Sequence, residues 1–168
     1  MVQIGVQSTT IDTPIEHLVA CHRRIEQRLD TLVAAADRFP SDRASAMAAI
    51  EKSLHFLDTN GVLHTEDEEV SLFPRLRPRL RDFEKTFVDS LEDQHQEAER
   101  IYTELKTLAA DLSAETLSRY RERAEVLRAL YRKHIQSEDE ILTALARRTL
   151  TGDEIREVSR EMRARRHL

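Results

Sequence analysis

The sequence predicts an all-α fold, and three of its properties lead there. Its 168 residues include only 3 Gly and 4 Pro, so few positions force a helix to end. Ala, Leu, Glu and Arg fill the long segments, and no window alternates Val, Ile and Thr as a half-buried strand would. With 40% hydrophobic and 34% charged residues, the chain suits one domain around one core and is too apolar for disorder.

Each helix follows from its punctuation. Thr13-Pro14 opens the first, an N-cap followed by proline in the first turn, and Ile15, Leu18, His22, Ile25, Leu29 and Leu32 recur at helical spacing up to Phe39-Pro40. Ser41 or Asp42 caps the second. It carries Leu54 and Leu57, meets a kink or short loop at Asn60-Gly61, and resumes through Leu63 to Phe73, where Pro74 and Pro78 stop it. The third starts near Asp82 and carries Phe87, Leu91, His95, Tyr102 and Leu105. The fourth runs from near Ser113 through Leu127, Leu130, His134, Ile141 and Leu145, and Thr151-Gly152-Asp153 restarts the chain as a short fifth helix. Long amphipathic helices with short polar joints predict an antiparallel up-down-up-down four-helix bundle over 13–148. A tail over 1–12 precedes it and a C-terminal helix over 151–168 follows.

Charge and composition exclude several classes of function. A net charge of -5 and a pI near 5.8 argue against nucleic-acid binding, and the locally basic stretch "REVSREMRARRHL" reads as a solvated helix face. No run is apolar enough for a membrane span. The single Cys21 has no internal disulfide partner, and "MVQIGVQSTTIDTP" lacks the basic start and apolar run of a secretory signal. The expected location is the cytoplasm. Nothing in the sequence specifies a protein partner.

The apolar stripes carry an unexpected cargo. His22 lies midway between Ile15 and Leu29 on the first helix, and His64, His95 and His134 take equivalent places on the other three. A lone inward histidine is usually a hydrogen-bonded core residue. Here three of the four are followed one turn later by a carboxylate, Glu68, Glu99 and Glu138, at the offset where two side chains of a helix reach a common ion. Burying unpaired carboxylates would cost roughly several kcal/mol each without a compensating cation, and no Lys or Arg shares those stripes at that level. A metal cluster in the core is the expectation. Imidazole with carboxylate and no thiolate suits iron, manganese or zinc, and so many ligands exceed one tetrahedral zinc. Two six-coordinate ions fit better, with Glu68 and Glu138 bridging, Glu99 terminal and one position open.

The segments "ACHRRI" (20–25), "LHTEDEEVSLFP" (63–74), "DQHQEAE" (93–99) and "KHIQSEDE" (133–140) come in order, one per helix. In this they resemble the hemerythrin-like, or HHE cation-binding, proteins, whose non-haem di-iron site lies inside a four-helix bundle. The resemblance implies His22, His64, Glu68, His95, Glu99, His134 and Glu138 as metal ligands, with two iron ions joined by an oxo or hydroxo bridge. It implies binding of O2, NO or peroxide at an open iron position, in sensing or stress response. A di-iron enzyme that disproportionates peroxide or oxidises iron is the second reading. The chain departs from the oxygen carriers of the family at Glu99, where they have a fifth histidine, and has "ILTALARR" where an "FP" often follows the fourth motif.

The remaining candidates read as bland. His17 sits near a helix start, His55 lies nine residues before His64, and His167 belongs to the tail. Glu69 and Asp139 point about a hundred degrees from their neighbours on an α-helix and are expected in solvent, Asp139 being the alternative to Glu138. Tyr102 is expected to pack, or to hydrogen-bond a ligand from outside. Cys21 faces elsewhere and is given no role.

Overall fold

Five helices build the described part of the chain, residues 11–168 of a computed structural model. Of the tail expected over 1–12, residues 1–10 lie outside the described residues. Helix α1 (Pro14–Arg38) begins as its Thr13-Pro14 signal predicts and buries Ile15, Leu18, Cys21, His22, Ile25, Leu29 and Leu32. Helix α2 spans 43–79, and its cap is Asp42, whose carboxylate accepts the Ser45 N–H at 3.0 Å.

Helix α2 is continuous where the sequence predicts an interruption. After Arg43–Phe56 it widens into a π turn at Leu57–Gly61, and Gly61 keeps helical angles of φ -64° and ψ -46°. The expected kink or loop at Asn60-Gly61 is therefore a wide turn. A second π turn, Asp67–Leu72, follows Val62–Glu66. Pro74 does not stop the helix either. It falls directly after that π turn, at the start of Phe73–Leu76, where the lengthened i→i+5 pattern leaves its missing N–H tolerable. The helix ends only with the 3₁₀ turn Arg77–Arg79, beyond which Leu80 is extended.

Helix α3 (Asp82–Ala110) is regular throughout, and its first turn is closed by Glu84 accepting the Arg81 N–H at 2.9 Å. Helix α4 spans 117–149, starting after a turn in which Thr116 Oγ1 accepts the Ser113 N–H, and it includes a third π turn at Glu138–Leu142. That turn corrects one expectation. Ile141, placed on the apolar stripe by α-helical counting, is 46% exposed, because the extra residue of the turn rotates it outward and leaves Leu142 inside. Helix α5 (Gly152–Arg165) opens on a reciprocal cap between Thr151 and Glu154.

Helix α1 packs against α2 and α4, and α3 packs against α4; along the seam between α2 and α3 the backbones stand farther apart. The apolar side chains form two clusters. One contains Ile25, Leu29, Leu32, Ile50, Ile101, Leu105, Tyr120 and Leu127, and the other contains Leu18, Leu72, Phe73, Leu76, Val88, Leu91 and Leu142. Val158 and Met162 of α5 complete the second cluster, so the basic C-terminal stretch is not a solvated face alone. No helix among the described residues is long and apolar enough to cross a membrane.

Candidate metal centre

Between the two clusters lies a buried polar layer of His22, His64, Glu68, His95, His134 and Glu138, each 8% exposed or less. The two glutamates sit in π turns, Glu68 within Asp67–Leu72 and Glu138 at the head of Glu138–Leu142. Their carboxylates join the four imidazoles into two groups. One is His22, His64, Glu68 and Glu138, the other Glu68, His95, His134 and Glu138, and in each the ligand atoms lie within 4.8 Å of one another. Glu68 Oε1 faces His64 Nε2 at 3.4 Å and His22 Nε2 at 3.8 Å, while its Oε2 faces His95 Nε2 at 3.5 Å. Glu138 Oε2 lies 3.1 Å from His22 Nε2, and its Oε1 lies 3.1 Å from His134 Nε2.

The outer ring nitrogens have partners that aim the inner ones. His22 Nδ1 contacts Asp139 Oδ1 at 2.6 Å, His95 Nδ1 contacts Glu69 Oε1 at 2.7 Å, and His134 Nδ1 contacts Gln94 Oε1 at 3.1 Å. Each acceptor draws a proton onto Nδ1 and turns Nε2 toward the carboxylates. Glu69 and Asp139 are thus not solvated bystanders. Each is half-buried against a histidine of another helix, a long-range pairing that spacing within one helix does not reveal. Behind Asp139, Arg23 pairs with its other oxygen.

The electrostatics of the layer are set by burial and by the contacts between its imidazoles and carboxylates. Burial opposes protonation of His22, but contacts with Glu138 and Glu68 outweigh it and hold its pKa up to about 9. His134 is raised against its own burial by Glu138, whereas burial and neighbouring His22 push His64 well down. Glu68 is raised by burial and by the charge of Glu138; Glu138 is lowered, against burial, by His134 and His22. Even so, His22 Nε2 and both oxygens of Glu68 and of Glu138 are buried without a hydrogen bond. His95 Nε2 and His134 Nε2 also face each other at 2.9 Å, lone pair against lone pair unless a proton or a cation intervenes. Orphaned acceptors gathered in two overlapping groups are a donor set that metal cations satisfy.

The structure does not bring Glu99 to this layer. It is exposed, and its carboxylate accepts from the Thr103 hydroxyl at 3.4 Å. The reason lies in α3: with no π turn, its buried stripe runs Val88, Leu91, His95, Ala98, Tyr102, Leu105, and the position after His95 falls to Ala98. Glu99 instead joins His95, Glu69, Tyr102, Leu127 and Tyr131 in lining a cavity of about 580 Å³ in the seam between α2 and α3. Tyr102 packs there and donates to Asp58 at 3.0 Å and not to the layer. His55 and His167 are exposed, His17 is half-buried, and Cys21 is buried in the first apolar cluster.

The family described as "Hemerythrin HHE cation binding domain" matches residues 13–146. An uncharacterized protein of Haemophilus influenzae is 26% identical over 170 residues, covering 96% of this chain and 95% of that protein.

Proposed function

The chain belongs to the hemerythrin HHE cation-binding family, and from that premise we propose that it is a cytoplasmic non-haem di-iron protein binding O2, NO or peroxide, in sensing or stress response. We read its first four helices as an up-down-up-down bundle. The proposed ligands are His22, His64, Glu68, His95, His134 and Glu138, with Glu99 on the cavity wall. The observation that carries this reading is the set of buried acceptors without hydrogen bonds, Glu68 and Glu138 above all, facing four imidazoles from four helices. Two iron ions held there supply the redox chemistry and the affinity for small oxidants.

The residues of the chain do the rest. Glu68 and Glu138 each span both groups, while Asp139, Glu69 and Gln94 keep three imidazoles oriented. The cavity beside His95 provides access from one side. Its wall carries Asp58, Glu66, Glu69 and Glu99 against one cation, Lys106, so it favours neutral visitors over anions. O2, NO and hydrogen peroxide are neutral.

The test is metal analysis of the purified protein with an absorption spectrum before and after adding NO or peroxide. Two irons per chain and a near-ultraviolet ferric absorption that responds to either ligand are expected. A chain that takes up no iron when supplied with it anaerobically would overturn the reading.

A further inference from the structure

Helix α5 lies outside the 13–146 match, yet it grips the residue next to Glu68. Asp67 and Glu68 are consecutive and both fully buried, and they meet opposite conditions. Glu68 has no hydrogen bond to either oxygen, whereas Asp67 receives two guanidinium groups from the end of α5. Arg166 donates to Oδ1 at 3.1 Å and to Oδ2 at 2.6 Å, and Arg165 donates to Oδ1 at 2.6 Å. Arg165 also donates to Ser71 Oγ, at the other side of the same π turn, and Arg166 donates to the Met162 carbonyl at 2.9 Å.

These contacts end a longer row. Asp67, Ser71, Arg75 and Arg79 follow one another every four residues along α2. They meet, in reverse order along α5, Arg166, Arg165, Glu161 and Glu154. Helix α5 is therefore laced along one face of α2, and its most buried contacts are those on the π turn.

Neighbouring side chains on a helix point about 100° apart, so Asp67 and Glu68 cannot both face the metal layer. Holding Asp67 toward α5 fixes the rotation of α2 at that level and with it the direction of Glu68. A π turn is a rare single turn inside an α-helix, and this one carries such a hold. We propose that Arg165 and Arg166 are positioning residues for the metal centre: through Asp67 they aim Glu68 inward, and metal retention depends on α5. This rests on the metal-binding reading above.

The test uses the full chain loaded with Co²⁺ as a spectroscopic probe, and measures the rate of transfer to a chelator and the visible spectrum. Arg165→Lys with Arg166→Lys keeps two charges opposite Asp67 but loses the paired N–H donors that fix its plane. It should fold with wild-type helical content, release Co²⁺ about tenfold faster or more, and shift the spectrum. The double alanine variant should release it faster still; if it does not fold, the lysine variant decides. Arg79→Ala, which cuts the exposed end of the row, should release at the wild-type rate. Wild-type release and spectrum in the lysine variant, with only a lowered melting temperature, would show a structural ion pair and overturn the proposal. A wild-type chain that binds neither Co²⁺ nor Fe²⁺ overturns the metal reading and this inference with it, whereas a loaded wild type with unchanged variants overturns this inference alone.

Discussion

His22 with His64, and His95 with His134, form two halves that share Glu68 and Glu138 but border different surroundings. The first half lies against Ile15, Leu18, Leu72, Leu142 and Thr143, with a void of about 10 Å³, at the lower limit for one water molecule. The second lies beside about 580 Å³ of space between α2 and α3, with His95 in its wall. The outer partners differ as well. Asp139 behind His22 is itself tied to Arg23, while Glu69 behind His95 also lines the cavity. Under the proposed function the difference teaches a division of labour, in which the closed half would hold its ion firmly and the open half would give access. Under the proposed function, an incoming molecule meets the His95 and His134 side.

The strongest way to break this comparison is to remove what the halves share. Glu68→Met should abolish binding of both ions, read as iron per chain, because each group loses a bridge at once. Without metal the same variant should be more stable than the wild type by about 1 kcal/mol or more, since a buried carboxylate with no hydrogen bond disappears. A metal-free variant that melts lower would mean that Glu68 serves the fold and not an ion.

A smaller effect should separate the halves. Asp139→Asn and Glu69→Gln each disturb one outer partner, and each should weaken metal binding about 10- to 100-fold. Chelation should then become biphasic, with one ion leaving early. Identical single-phase loss in both variants would contradict the division. Next in size are changes to the space beside each half. Val62→Trp, at an exposed position on the cavity wall, should slow the reaction with NO or peroxide several-fold at full metal content. On the closed side Leu142→Phe should instead overpack and cost about 1–3 kcal/mol in thermal or denaturant unfolding.

The smallest expected effect belongs to Glu99. Glu99→Gln, like His55→Ala, should keep the wild-type iron content and change stability by less than about 0.5 kcal/mol. Loss of an ion in the Glu99 variant alone would restore it as a ligand and sharpen the question of how it crosses the seam.

The inward direction of His22, His64, His95 and His134 was legible because a 3.6-residue period carries an apolar stripe through each of them, and the structure buries all four. Sequence counting turns Glu99 and Ile141 inward, and the structure exposes both, for a shared reason. α-Helical counting passes through π turns unaltered, and it treats α3, which has none, like α2 and α4, which do. Helical counting places Asp139 and Glu69 in solvent because their partners lie on other helices. Asp67 with Arg165 and Arg166 joins residues 98 and 99 positions apart, and a single sequence offers only an acidic run here and a basic run there.

The π turns have one more consequence, for sequence comparison. A π turn is an α-helix with one residue inserted, so the segments on either side keep the phase they would have if that residue were missing. An alignment with a relative whose helices are α-helical throughout should open a one-residue gap within 57–61 and, at the level of the metal layer, one within 67–72 and another within 138–142. Single-residue insertions and deletions, usually ruinous inside a buried helix, become at the latter two places a route by which a lineage can turn a glutamate toward the core or away from it, leaving both apolar clusters undisturbed.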